Sequence, residues 1–301
     1  MQETEYIFLN DKFVKWNEAK IHILTHALHY GSAAFEGIRA YKTEKGSAIF
    51  RLKDHVKRLI DSFSIFEVKH EFDEKKVEKA IIETLKINKL EEAYIRPILF
   101  LGYGEMGLRN IDKCEVNFSV AAWPWPKYLA KDLLNVKIVK TRRISQLSLR
   151  TNAKISGHYV NSILASIESK KANCDEALLL DIDGNVAEGP GENIFLVKNK
   201  KLYTPKLNCI LPGITRDSVI KIAKDLGIEV IEKDIKEKEL FEADELFFTG
   251  TAIEITGIGT LDGKTIGKGK IGEITEKLRE KYLEIVHGKD KNYENWLFRV
   301  Y

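Results

Sequence analysis

The feature that most constrains this chain lies near its middle, where Trp123-Pro124-Trp125-Pro126-Lys127-Tyr128 interrupts any regular structure. Each proline removes a backbone donor and fixes φ, so neither a helix nor an internal strand can run through the pair. A chain of 301 residues can bury one large core or two of ordinary size. A break at this point favours two. Its aromatic side chains then either staple the two domains or line an apolar pocket. The expected division is a small domain over 1–122, a connection over 123–135 and a larger domain over 136–301.

Before the break, Tyr6–Leu9 and Asn10–Val14 read as two short strands around a turn. Leu52, Val56, Leu59 and Phe63 form one apolar helix face, and Arg58 beside it reads as a solvated helix arginine. Asp73 is the expected N-cap of a second helix carrying Val77, Ile81 and Leu85. Ala93–Tyr103 reads as a strand whose period of two puts Tyr94, Arg96 and Ile98 on one face. An arginine there needs a partner, either a structural carboxylate or that of a substrate. His26–Tyr41 is rich in Gly and Ala, which suits tight packing, while Tyr30, Phe35 and Arg39 offer larger groups for a pocket.

After the break, Val136–Lys140 and Glu176–Asp181 read as strands. Glu188 stands before a Gly-Pro-Gly bend, either capping a turn or buried against a partner such as a protonated ring nitrogen. Leu211-Pro-Gly-Ile-Thr215 opens a helix ended by Gly227, with N–H groups at Ile214 and Thr215 free to meet an anion. Leu246–Ala252 is a strand ending in small and hydroxyl residues, a second candidate anion cradle. A last amphipathic helix spans 271–287. Strands and helices are mixed throughout without an internal repeat, so the fold class is α/β (α+β).

Thr151–Asn161 holds Lys154 among small or uncharged residues, directly before a helix whose Val160, Ile163, Leu164 and Ile167 are expected to form one buried face. An amine in such a place is open to desolvation and can act as a nucleophile.

A net charge of +3, from 48 Lys and Arg against 45 Asp and Glu, gives no case for a nucleic-acid partner. No apolar run is long enough to span a bilayer, and the acidic start lacks the features of a signal peptide. Cys114, Cys174 and Cys209 are odd in number and lack metal-ligand spacing, so we expect reduced thiols, no metal and a cytoplasmic protein. The charged fraction of 31% fits growth at high temperature, and an AT-rich genome would enrich lysine as well.

Six motifs in order resemble the branched-chain amino-acid aminotransferases of the pyridoxal-phosphate fold-type IV family. They are His29-Tyr-Gly with Phe35-Glu-Gly-Ile-Arg39, Tyr94-Ile-Arg-Pro97, Lys154 with Ser156-Gly157 and Tyr159, Glu188-Gly-Pro-Gly-Glu-Asn193, Leu211-Pro-Gly-Ile-Thr215, and Gly250-Thr-Ala252. Two places depart from the pattern: Pro126-Lys127 after Trp125, and His158 where asparagine is more usual. The resemblance implies a two-domain, D-amino-acid-aminotransferase-like architecture with pyridoxal 5'-phosphate between the domains. Lys154 would hold the cofactor as a Schiff base, Glu188 would pair with its ring nitrogen and Tyr159 with its phenolic oxygen. Arg58, Ile214, Thr215 and Thr251 would bind its phosphate. Phe35, Gly37, Tyr94, Trp125, Tyr128, Tyr159 and Ala252 would line the substrate pocket. Arg96 and Tyr30 would take the side-chain carboxylate of glutamate. Tyr30 and Leu108 would come from a neighbouring subunit, so a homodimer at least is implied, with a hexamer open. The implied reaction is ping-pong exchange of an amino group between L-leucine, L-isoleucine or L-valine and 2-oxoglutarate. A D-amino-acid transaminase or aminodeoxychorismate lyase is the alternative within the fold.

Overall fold

The computed structural model describes residues 2–125, 131 and 133–301. Asn10 and Asp11 both take positive φ, 45° and 64°, which lets β1 (Tyr6–Leu9) and β2 (Lys12–Lys15) pair as a tight hairpin. The chain continues through α1 (His26–Tyr30), β3 (Ala33–Phe35), β4 (Ile38–Thr43), β5 (Gly46–Phe50), α2 (Leu52–Phe63), α3 (Glu74–Ile87), β6 (Ala93–Leu101) and β7 (Val116–Trp123). With a C-terminal strand, Leu297–Arg299, these build a sheet ordered C-terminal strand–β5–β4–β6–β7–β1–β2, with β3 also on β6. The apolar face of α2 (Leu52, Val56, Leu59, Phe63) and that of α3 (Val77, Ile81, Leu85) share one core with Ile38, Ile49, Ile95 and Val120 of the sheet. Asp73 caps α3 as expected, accepting from Lys76 N–H at 2.8 Å.

Pro97 sits inside β6, a central strand, where a proline is normally excluded. The pairing explains it. Phe35 faces Ile98 and Ile38 faces Ile95, so one continuous register runs across β3 and β4. Between them Glu36 N–H donates to Pro97 O at 2.9 Å, and the return bond that Pro97 cannot make is the missing rung. The ribbon breaks there, at Glu36-Gly37. The Lys154 stretch lies along β3: Phe35 N–H donates to Lys154 O at 3.2 Å, Ala34 bridges Ile155, and Gly157 N–H donates to Gly31 O at 3.2 Å. Gly31 has φ +68°, and a Cβ on it would stand 2.6 Å from Gly157 Cα.

The first compact unit comprises Met1–Pro126, Ala153–His158 and Ile285–Tyr301; the second comprises Lys127–Asn152 and Tyr159–Glu284. We propose the linker-based limits as the domain division, with a small domain over 1–122, a connection over 123–135 and a larger domain over 136–301. The second unit's strands are β8 (Leu133–Ile138), β9 (Glu176–Leu178), β10 (Asn193–Lys198), β11 (Lys201–Thr204), β12 (Val230–Glu232), β13 (Glu245–Gly250), β14 (Glu254–Leu261) and β15 (Lys264–Thr265). They form a mixed sheet ordered β12–β11–β10–β13–β14–β8–β9, with β15 on β14. Its helices are α4 (Tyr159–Lys171), α5 (Ile214–Asp225), α6 (Glu237–Phe241) and the greater part of α7 (Glu273–Val286). Leu134, Val136, Ile194, Leu196, Phe248 and Ile258 lie at its core.

One expectation fails here. The helix after Lys154 is present, but Val160, Ile163, Leu164 and Ile167 are 59%, 58%, 50% and 44% exposed, and Ala165 and Ser169 are the buried residues. A helical period identifies an apolar stripe without saying what covers it.

Candidate active site

In the first unit, Lys154 is fixed through its backbone: besides the bond to Phe35, its N–H donates to Ser62 Oγ at 2.9 Å. Its Nζ lies 5.2 Å from the centroid of the Phe35 ring. Ser62 belongs to α2, whose spacing of three and four residues brings His55, Arg58 and Ser62 to one face. That face meets the break at Glu36. Arg58 donates from Nε to Glu36 Oε1 at 2.6 Å and from Nη2 to Oε2 at 2.9 Å. His55 Nδ1 lies 2.8 Å from Oε2.

Glu36 is fully buried, yet its carboxyl stays ionised. Burial alone would raise its pKa, but the charge of Arg58 and the contact with His55 overcome that and hold it well below the usual carboxylate range. Burial pushes His55 below the ordinary histidine value, against the pull of Glu36, so the imidazole is neutral near pH 7. Against an ionised Glu36, its Nδ1 carries the hydrogen. Arg58 is therefore no solvated helix arginine: its side chain is 13% exposed and held as a fork.

Phe35, Gly37, Tyr94, Arg96 and Trp125 come together in the same unit. The Arg96 guanidinium lies 4.9 Å from the Phe35 ring centroid and donates from Nη2 to Tyr94 Oη at 3.1 Å. Trp125 packs on Tyr94 with centroids 4.7 Å apart. A Cβ at Gly37 would stand 2.0 Å from Tyr94 Oη, so only glycine lets the phenol lie there. Among the described residues Arg96 has no carboxylate partner, and its Nε is buried without a hydrogen bond. Arg39 is structural, pairing with Glu92 at 3.2 Å over the Tyr41 ring. Tyr30 and Leu108 lie elsewhere on the unit, 44% and 75% exposed. Tyr30 packs on His26, whose Nε2 bonds Gly107 O beside Leu108. Tyr128 lies outside the described residues.

In the second unit, Glu188 is 5% exposed and is no simple turn cap. Arg143 Nε donates to its Oε1 at 2.5 Å, Asn193 Nδ2 to Oε2 at 3.0 Å and Leu211 N–H to Oε2 at 3.1 Å. Asn193 also donates to Leu211 O at 3.0 Å, and Gly213 lies so close that a Cβ there would stand 1.9 Å from Asn193 Oδ1. Thus the Glu188–Asn193 bend and the Leu211–Thr215 stretch form one structure. It ends at the start of α5, where no side chain caps Ile214 and Thr215. A helix start of this kind receives an anion. Thr251 and Ala252 form the half-buried β13–β14 turn, and Tyr159 is the first residue of α4. Buried polar atoms with no partner among the described residues include Arg143 Nη1 and Thr249 Oγ1.

Sequence reasoning missed Glu36, His55 and Arg143. The three- and four-residue spacing on α2 was a signal for His55; the doublet Arg142-Arg143 before the lysine stretch was the only one for Arg143. Among the described residues, no cluster of His, Cys, Asp and Glu has the make-up of a metal site. A lysine amine, a buried carboxylate, a held arginine and an uncapped helix start are groups that suit a phosphorylated pyridine aldehyde.

Comparison with known proteins agrees. The family model described as amino-transferase class IV matches residues 33–261. The sequence is 42% identical to the branched-chain-amino-acid aminotransferase of Pseudomonas aeruginosa, over 96% of this chain and 95% of the relative. The crystal structure of the T.th. branched-chain amino acid aminotransferase complexed with N-(5'-phosphopyridoxyl)-L-glutamate is similar with a TM-score of 0.96 and 43% identity, covering 100% of both chains. That of the branched-chain aminotransferase from Thermoproteus uzoniensis with norvaline gives 0.95 and 40% identity, covering 99% of this chain and 100% of the other.

Proposed function

Because this chain belongs to the class IV aminotransferases, and within them to the branched-chain amino-acid aminotransferases, we propose how its residues divide the reaction. It transaminates branched-chain amino acids with pyridoxal 5'-phosphate as cofactor. The exchange runs between L-leucine, L-isoleucine or L-valine and 2-oxoglutarate, in two half-reactions. When bound, the cofactor supplies an electron sink for the pair left on Cα after proton removal.

Lys154 would hold the cofactor through its amine and, once freed by the substrate amine, would serve as general base and acid for the Cα proton. Glu188 takes the ring nitrogen and Tyr159 the phenolic oxygen. Arg58, with the backbone at Ile214 and Thr215 and with Thr251, takes the phosphate. Phe35, Gly37, Tyr94 and Trp125 of the first unit form the wall for an aliphatic side chain. The single observation that carries the dual substrate range is Arg96. It is a guanidinium with no carboxylate partner among the described residues, set beside the Phe35 ring that Lys154 also approaches. An apolar wall takes leucine, and the same wall with one cation takes glutamate.

A spectrally monitored half-reaction with a panel of L- and D-amino acids tests this. L-leucine, L-isoleucine, L-valine and L-glutamate are expected to convert the cofactor, and D-alanine is not. Turnover of D-alanine without L-leucine would sink the assignment in favour of a D-amino-acid transaminase, an alternative the comparisons do not favour, as they do not favour a lyase.

The working unit is a homodimer at least, in keeping with an apolar surface on the first unit at Ile21, Ile23, Leu28 and Leu108, each more than half exposed. Tyr30 and Leu108 of one copy then complete the site of the other. Sedimentation velocity at assay concentration is expected to show no active monomer; a fully active monomer ends this reading. No helix of the described residues is long and apolar enough to cross a membrane. Three free cysteines fit work in the cytoplasm.

A further inference from the structure

We propose that Arg143 is a positioning residue for the cofactor ring, holding Glu188 as a carboxylate so that the proton between Glu188 and the ring nitrogen rests on the nitrogen. The proposal rests on the reading of Glu188 given above and extends it to a residue with no assigned part in the reaction.

Arg143 is built in. Its backbone N–H donates to Leu180 O at 2.8 Å, and its side chain, 9% exposed, sends Nε to Glu188 Oε1 at 2.5 Å. Glu188 is the one carboxylate that it binds among the described residues, and its Nη1 is buried without a hydrogen-bond partner, so no second acid draws on the cation. A pyridine nitrogen and a carboxylate have similar basicity in water. Buried together without other charges, they favour the neutral pair, because two ions in a dry site must be desolvated. Asn193 and Leu211 donate to Glu188 as neutral groups. The Arg143 guanidinium is a cation in direct contact, and its attraction for a charged Glu188 tips the proton onto the ring. Titratable groups nearby include Cys209 and Asp181. Burial, then Asp181 and Glu188, push the Cys209 thiol up to about 11 against the pull of Arg143, so no thiolate competes for the cation. A protonated ring draws electrons from Cα; a neutral ring draws them weakly.

The test loads the holoenzyme with pyridoxal phosphate labelled with ¹⁵N in the ring and reads the nitrogen shift. Wild type is expected to show a pyridinium. Arg143→Gln is expected to move the signal toward neutral pyridine, with slower Cα proton removal, while Arg143→Lys, which keeps the charge, retains the pyridinium. An Arg143→Gln enzyme that is less stable but keeps the pyridinium signal has lost only structure, and the proposal falls. Should Arg143→Gln not fold, Arg143→His decides. Its ring signal should pass from pyridinium to pyridine as the imidazole loses its proton, over a range where wild type does not change; a signal that does not follow overturns the idea. Glu188→Gln separates the two levels. If it moves the signal and Arg143→Gln does not, the proposal alone fails; if it does not, the reading of Glu188 fails and the proposal with it.

Discussion

Lys154→Ala is expected to abolish transamination, lowering turnover by about 10⁴-fold or more as general base and covalent anchor are lost together, and to leave the fold standing. The stretch is held by its main chain: Lys154 N–H to Ser62 Oγ, and Lys154 O from Phe35 N–H. Alanine keeps both bonds. Among the contacts it removes is that of the amine 5.2 Å from the Phe35 centroid, worth about 0.5–1 kcal/mol. The check is a half-reaction with L-leucine beside a thermal melt. Retained turnover would rule out the assigned role, and a collapsed fold would show that the side chain is structural.

Glu36→Gln is expected to do the reverse and strike stability first, by roughly 3–5 kcal/mol, because it leaves a buried cation without its anion. Four donors converge on Glu36: Arg58 Nε and Nη2, His55 Nδ1 and the Gly37 N–H. An amide offers one acceptor oxygen and adds donors of its own. The pH dependence has a definite sign. The folded carboxyl of Glu36 lies below its unfolded value of 4.5, so its stabilisation is complete above that value. It is lost as pH falls toward the folded value, at up to about 1.4 kcal/mol per pH unit. His55 is depressed below its unfolded value of 6.5, so it too contributes stability above that value and loses it on acidification. Denaturant melts of wild type and Glu36→Gln at pH 7 and pH 3 are expected to show a gap that narrows in acid. A gap of equal size at both pH values would mean that the Glu36 charge does not matter.

Local patterns were legible wherever one residue's neighbours along the chain decide its fate. Asp73 caps α3, the four apolar residues of α2 are buried, and the Asn10-Asp11 turn closes a hairpin, all as the sequence implies. The electrostatic supports were not legible, because their members are far apart: Glu36 and Arg58 by 22 residues, Arg143 and Glu188 by 45. Only tertiary packing brings such pairs together. Arg58 alone looks like any helix arginine, and the resemblance to a family, not its spacing, marked it as functional. The apolar stripe of α4 failed for a different reason. Periodicity reports a face that needs cover, and a second copy of the chain can supply it as readily as the core can.

The unmade bond at Pro97 bears on how such an enzyme can evolve. Because β3 and β4 share one register across the break, Glu36 and Gly37 fill a gap of fixed length, one beside Arg58 and the other beside Tyr94. Adding or deleting a residue between Phe35 and Ile38 would turn every later side chain of β4 to the opposite face of the sheet. Ile38 and Ala40 would leave the core. Insertions that commonly reshape surface loops are therefore closed to this segment, and changes in substrate preference here must come by substitution at constant length.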